Sequence, residues 1–273
     1  MTINCNGKIL DFKIPKVMGI LNLTPDSFYD GGKYQSIKLA MKRCDEMLSQ
    51  GADIIDIGAV SSRPGSSIIS EKEEFDRLIP VLRTLVKEFN SAIFSVDTYR
   101  SQIAKVSIDE GASIINDITA GKFDSNMLPL VGKYNTVYVA MHMQGDPHKM
   151  PKNPTYKDIT SELLSFFSDK IKSCQLNKVH NLIIDPGFGF GKEINQNFEI
   201  LKNLETFHEL NVPILVGFSR KSMIYKSLQI QSVEALNGTT VLNTIALLKK
   251  ANILRVHDVK EAKESIELCR KLV

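Results

Sequence analysis

Two patterns alternate along the chain. Short apolar runs rich in Val and Ile recur at 17–21, 53–57, 92–96, 113–115, 136–141, 182–184, 213–216 and 253–256. They lack polar alternation, the pattern of strands buried on both faces. The longer stretches between them carry apolar residues at helical spacing. In 34–50, Ile37, Met41, Cys44 and Leu48 share a face, and Gly51 stands where a helix-ending glycine belongs. Ser70 before Glu71, Glu73 and Glu74 predicts an N-cap with acids in the first turn, and Leu78, Leu82, Leu85 and Val86 form the inward stripe. Stretches 158–174 and 233–249 repeat the pattern. Asp258 opens a last helix over 259–272, with Ala262, Ile266 and Cys269 on one side.

Buried strands alternating with helices pair in parallel through right-handed crossovers. Eight such units predict an α/β fold, a (β/α)8 TIM barrel formed by one domain over 1–273. An open doubly wound sheet is the alternative that alternation alone permits. Residues 1–12 precede the first unit and predict a short N-terminal hairpin on the barrel floor.

Composition narrows the partners. The 273 residues carry 34 basic and 31 acidic side chains, a net charge of +3, which points away from nucleic acid. No run is long enough to span a bilayer, and the polar first ten residues do not read as a signal peptide. Cys5, Cys44, Cys174 and Cys269 are far apart, which fits a reducing cytoplasm.

In a barrel, chemistry gathers at the carboxyl ends of the strands. Here the eight runs lead into Asn22, Ser61-Ser62-Arg63, Asp97, Asn116-Asp117, His142, Asp185, Ser219-Arg220-Lys221, and Arg255 with His257. Asp97, Asn116 and Ser219 each also fit a helix N-cap. Together they form a rim with acids (Asp97, Asp185) on one side and cations (Lys221, Arg255, His257) on the other. That mixture suits a polar ring with an anionic tail. The glycine-rich 185–192 matches neither dinucleotide nor P-loop spacing; it reads as a turn that lets backbone approach a flat ligand, with Phe190 as a wall. Segments 30–32 and 62–67 read as flexible loops, candidate lids over the same rim. Of five histidines, His148, His180 and His208 read as surface residues and His142 as a packed rim histidine. None has transition-metal spacing.

In order, Met18-Gly19-Ile20-Leu21-Asn22-Leu23-Thr24-Pro25-Asp26-Ser27-Phe28, Ser61-Ser62-Arg63-Pro64-Gly65, Ser95-Val96-Asp97-Thr98, Ile115-Asn116-Asp117, Met141-His142-Met143-Gln144-Gly145, Asp185-Pro186-Gly187 through Lys192, Ser219-Arg220-Lys221-Ser222 and Arg255-Val256-His257-Asp258 resemble the dihydropteroate synthases, pterin-binding TIM-barrel enzymes. The resemblance spans 17–259. It implies that Asp97, Asn116, Asp185, Lys221, Phe190 and Met143 hold a pterin. Asn22, Arg63, Arg255 and His257 would hold pyrophosphate, Asn22 through Mg2+. Phe28, Ser62, Arg63, Pro64 and Ser222 would lie over 4-aminobenzoate, and Asp30 would orient the amine or take its proton. The implied reaction displaces pyrophosphate from 6-hydroxymethyl-7,8-dihydropterin pyrophosphate by 4-aminobenzoate along a dissociative path, in a homodimeric enzyme of folate synthesis. The family commonly has Glu-Ser-Thr before Arg63, where this chain has Val60-Ser61-Ser62. The departure lies where affinity for aminobenzoate and sulfonamide mimics is set. A pterin-dependent methyltransferase domain and a non-catalytic pterin-binding paralogue are the rival readings.

Overall fold

The computed structural model describes residues 1–23, 32–60, 69–145 and 154–272, with side chains from residue 37 in the second segment. Two short strands, β1 (Thr2–Cys5) and β2 (Lys8–Asp11), pair antiparallel. Asn6 and Gly7 make the tight turn between them, both at positive φ, as a two-residue hairpin matching strand twist requires. This is the predicted hairpin.

All eight apolar runs form strands: β3 (Lys16–Asn22), β4 (Ile54–Gly58), β5 (Phe94–Asp97), β6 (Ile114–Asp117), β7 (Val137–Met141), β8 (Leu182–Asp185), β9 (Leu215–Val216) and β10 (Ile253–Val256). They lie in the order β8-β7-β6-β5-β4-β3-β10-β9, each pair parallel. A parallel bridge between Ile184 and Ile214 joins the two ends, with the Ile184 N–H donating to the Pro213 carbonyl at 3.0 Å. The sheet therefore closes into a barrel and is not the open doubly wound sheet.

Side chains alternate between two apolar environments. One set, including Val17, Ile55, Ile57, Val96, Tyr138 and Ile184, packs under the helices. The other, including Met18, Ile54, Ile114, Val139, Ile183 and Ile253, fills the lower barrel, and Ile3, Cys5, Leu10 and Phe12 of the hairpin region join it. Two residues further along a strand, the same face is reached again. Ile54 is followed on that face by Asp56, Ile114 by Asn116, Ile183 by Asp185 and Ile253 by Arg255. The interior thus changes from apolar to polar and charged towards the carboxyl ends.

The helices are α1 (Gly32–Ser49), α2 (Glu71–Glu88), α3 (Ser101–Asp109), α4 (Met127–Tyr134), α5 (Ile159–Leu176), α6 (Ile194–Lys202), α7 (Ser222–Leu228), α8 (Leu236–Leu248) and α9 (Val259–Cys269). Ser70 caps α2 by accepting from the Glu73 N–H at 3.1 Å, as its position predicts. The stretch 233–249 divides into a 3-10 turn at Ser232–Glu234 and α8. The pattern of apolar positions does not single out α3, α4, α6 or α7. With seven to nine residues they complete about two turns, too few to establish a period. No helix among the described residues is long and apolar enough to cross a membrane.

Candidate active site

Barrel register sets Asn22, Gly58, Asp97 and Asn116 side by side on four adjacent strands. Below Gly58, Asp56 is fully buried. Its Oδ2 accepts from Arg255 Nε at 2.7 Å and from Asn116 Nδ2 at 3.0 Å. Arg255 Nη2 donates onward to Asp97 Oδ2 at 2.9 Å. One guanidinium thus bridges two carboxylates. Arg255 lies within β10 and threads between the acids, so the rim does not separate into an acidic and a cationic side. Of the two ends of the amide only the nitrogen can donate to a carboxylate, so Asp56 fixes the Asn116 amide with its nitrogen towards Asp56 and its oxygen turned away from it. Burial pushes the Asp97 carboxyl above its ordinary range, the Arg255 guanidinium opposes this, and the Asp56 charge adds to the rise.

On the far wall, Asp185 ends β8 and its Oδ1 accepts from the Gly187 N–H at 2.7 Å. Burial raises its carboxyl too, opposed first by Lys221. The Lys221 Nζ donates to the Phe188 carbonyl at 2.6 Å and lies 4.8 Å from the centre of the Phe190 ring. Burial pushes this ammonium down to about 8, against the pull of Asp185. Phe190 packs against Tyr99, Ile118, Met141 and Met143, an apolar patch separate from the main core and beside the acids. Flat apolar walls beside paired carboxylates, an amide and an ammonium can receive a planar heterocycle whose edge carries N–H donors.

The glycine-rich turn is seated on the end of β7. A Cβ on Gly187 would collide with the His142 carbonyl, and one on Gly191 with backbone atoms of Gln144; both glycines have positive φ. Lys192 lies beneath. Its Nζ donates to the carbonyls of Gly187 at 2.9 Å, Phe190 at 3.1 Å and His142 at 3.1 Å. Burial lowers this ammonium to about 7, with Asp185 opposing. The stretch read as a helix start after Lys192 does begin α6, through a capping box between Glu193 and Gln196.

Several strand-end groups have structural roles. Asp117 accepts from Thr119 N at 2.8 Å, Thr119 Oγ1 at 2.7 Å, Gly121 N at 2.7 Å and Tyr138 Oη at 2.7 Å. Arg220 forms a two-pronged pair with Asp258, both bonds at 3.0 Å. Ser219 Oγ accepts from the His257 N–H at 3.2 Å, and the His257 carbonyl takes Arg43 Nη2 at 2.7 Å. None of Asp97, Asn116 and Ser219 serves as an N-cap; α3 begins after Arg100 and α7 after Lys221. His142 is the packed histidine expected, edge-on to Phe166 at 4.8 Å, and burial holds its imidazole down near 2. His208, read as a plain surface residue, has Nε2 3.2 Å from the Lys249 carbonyl. Ser222 is the first residue of α7 and Asn22 the last of β3. Phe28, Asp30, Ser62, Arg63, Pro64 and His148 lie outside the described residues.

Reasoning from sequence missed Asp56, Lys192 and the role of Glu74. The signal for Asp56 was a carboxylate within an otherwise apolar Ile54–Gly58 strand. Glu74, read as a first-turn acid, is buried and accepts from Thr98 Oγ1 at 2.6 Å and from Arg100. Arg100 also donates to the Ile69 carbonyl at 2.8 Å, which ties the chain just before α2 to the end of β5.

The model of the family described as pterin binding enzyme matches residues 18–257. The dihydropteroate synthase of Escherichia coli K12 is 41% identical over 270 residues, covering 98% of this chain and 95% of the relative. That of Clostridium beijerinckii is 42% identical over 248 residues, covering 90% and 89%. The Yersinia pestis dihydropteroate synthase, solved with a sulfonamide drug complex, superposes with a TM-score of 0.93 at 39% identity, covering 100% of this chain and 99% of that one. The Xanthomonas albilineans enzyme, solved with 4-aminobenzoic acid, gives 0.92 at 34% identity, covering 99% and 97%. With near-complete coverage in sequence and structure, and with the acids, the Asn116 amide and Lys221 gathered at one barrel mouth, the chain belongs to the dihydropteroate synthase family of pterin-binding enzymes.

Proposed function

We propose that this protein is a transferase that condenses 6-hydroxymethyl-7,8-dihydropterin pyrophosphate with 4-aminobenzoate, forming 7,8-dihydropteroate and pyrophosphate in folate biosynthesis. The observation that carries the reading is the convergence of Asp97, Asn116, Asp185 and Lys221 beside the Met143–Phe190 patch. In this reading the carboxylates accept adjacent N–H groups of the aminopyrimidinone edge. The Asn116 oxygen accepts a further one, and the Lys221 ammonium faces the ring carbonyl and N5 side.

The bond from the pterin methylene carbon to the pyrophosphate oxygen breaks with its electron pair leaving on pyrophosphate. The amine nitrogen then forms the new bond and loses a proton. Asp97 and Asp185 stabilise the positive charge that develops on the methylene and fused ring, because fixed charges in a buried site act without solvent reorganisation. Arg255, His257 and Arg63 hold the leaving group, and Asp30 orients the amine or takes its proton. Phe28, Ser62, Arg63, Pro64 and Ser222 shape the aminobenzoate site, where sulfonamides compete.

Among the described residues no cluster of three or more His, Cys, Asp or Glu side chains is placed to hold a metal. A magnesium ion fits only as a companion of the substrate, with the hard amide oxygen of Asn22 as one ligand and phosphate oxygens as others. When bound, it would neutralise charge on the departing pyrophosphate.

The whole chain, 1–273, is read as one catalytic barrel unit. Val241, Ile245 and Leu248 make an exposed apolar stripe on α8 at helical spacing, and we assign it to contact with a second copy in a homodimer. Four buried free cysteines fit a cytoplasmic enzyme. The test is incubation with magnesium, the pterin pyrophosphate and 4-aminobenzoate. Equimolar pyrophosphate and dihydropteroate are expected. Pterin binding without product would instead favour the methyltransferase or non-catalytic reading.

A further inference from the structure

We propose that Lys192 is a positioning residue whose ammonium, held by three backbone carbonyls, sets the spacing between Met143 and Phe190 and so the width of the pterin slot. The inference rests on the pterin reading of that slot.

The geometry carries it. An ammonium has three N–H donors, and those of Lys192 meet three carbonyls, of His142, Gly187 and Phe190. His142 immediately precedes Met143 at the end of β7. Gly187 and Phe190 belong to the turn that follows β8, and the Phe190 N–H donates back to the Gly187 carbonyl at 3.1 Å. Lys192 therefore joins the backbones that carry the two apolar walls, one from each strand end, with all three donors taken up by backbone carbonyls. Neighbouring bonds brace the same turn: Tyr156 Oη donates to the Gly191 carbonyl at 2.9 Å, and the Gly189 N–H donates to Asn197 Oδ1 at 2.7 Å. Neither crosses from the turn to the end of β7. Three carbonyl dipoles pointing at one another repel unless a cation lies between them. Without the ammonium, the turn relaxes away from β7, and Phe190 moves with it. Lys221 feels the same shift, because its Nζ lies over the Phe190 ring and bonds the Phe188 carbonyl.

The test is chemical rescue. Lys192→Ala removes Cγ through Nζ, the atoms of n-propylammonium. Affinity for 6-hydroxymethyl-7,8-dihydropterin pyrophosphate is measured by calorimetry, with melting temperature recorded in parallel. Lys192→Ala is expected to weaken pterin binding about tenfold or more, the scale of a misplacement by a fraction of an ångström to an ångström. Added n-propylammonium should restore much of the loss, whereas tetramethylammonium, a cation without N–H donors, should not. Lys192→Gln, which keeps two donors and most of the side chain, is the variant to use should the alanine form not fold. It should weaken pterin binding several-fold while leaving the KM for 4-aminobenzoate at saturating pterin unchanged. Pterin affinity equal to wild type in a variant with a lowered melting temperature would overturn the proposal, leaving Lys192 as a stability residue. Equal rescue by both cations would also overturn it. Wild-type protein that binds no pterin would remove the underlying reading of the site, an outcome separate from wild-type binding that the variants leave untouched.

Discussion

Removing Asp56 tests whether the barrel interior beneath the mouth organises the site. Asp56→Ala deletes two hydrogen bonds to one carboxylate oxygen, from Arg255 Nε at 2.7 Å and Asn116 Nδ2 at 3.0 Å. Hydrogen bonds to charged groups contribute about 1.5–3 kcal/mol each. Two terms pull the total down. Arg255 keeps Asp97 at 2.9 Å, so the guanidinium is not left unpaired. One carboxylate of two sharing that cation also disappears, which relieves their repulsion. The net loss should lie near 3 kcal/mol, the lower end of the range for breaking a buried ion pair. For a chain of this size that lowers Tm by roughly 6–12 °C. Thermal unfolding followed by circular dichroism reads this directly. Asp56→Asn, which keeps an acceptor oxygen, should lose less. The substitution also frees the Asn116 amide to flip, so pterin affinity should fall, and by less than additively when Asp56→Ala is combined with Asn116→Ala. An Asp56→Ala protein that melts within about 2 °C of wild type would refute the reasoning, because that shift is below the loss of even one such bond.

The remaining predictions concern charge, backbone and thiols. Burial holds the Asp97 carboxyl above its ordinary value. Its bound proton therefore favours the folded empty protein at acid pH, and that contribution is lost as pH rises towards neutrality. In the proposed role Asp97 accepts from the pterin as a carboxylate, so affinity should climb over the same window, and Asp97→Asn should flatten that acid limb and slow turnover; near-wild-type turnover would exclude charge stabilisation by this group. Gly187→Ala should cost about 2–4 kcal/mol from a positive φ and a collision with the His142 carbonyl, read as a drop in urea midpoint together with weaker pterin binding. Cys5, Cys44 and Cys174 are buried, with burial pushing their thiols up to about 12, 12 and 11. Native protein at neutral pH should leave these three unreactive towards a thiol reagent, and all should react once urea unfolds the chain.

The periodicity of apolar residues determined the strands, because a segment buried on both faces must be apolar throughout and every such run here became one. It also located the five long helices and, through the strand-end residues, the side of the barrel that carries chemistry; the hairpin followed from the segment left ahead of the first run. Asp97, Asn116, Asp185 and Lys221 stood among the strand-end groups by position, and the resemblance to the dihydropteroate synthases singled them out. Which strand-end groups face the mouth, and which brace the frame, was decided only by the tertiary structure. Asn116 and Asp117 are neighbours with equally polar side chains. The pleat turns Asn116 inward to Asp56 and leaves Asp117 to four donors from Thr119, Gly121 and Tyr138. Asp56 and Arg255 lie 199 residues apart and pair only because β4 and β10 flank β3 in a closed ring. Lys192 looked like the last residue of a glycine-rich turn until folding brought the His142 carbonyl, 50 positions earlier, within 3.1 Å of its ammonium. Local sequence sets which way a segment can be buried; barrel closure and register set which distant groups share the same few ångströms.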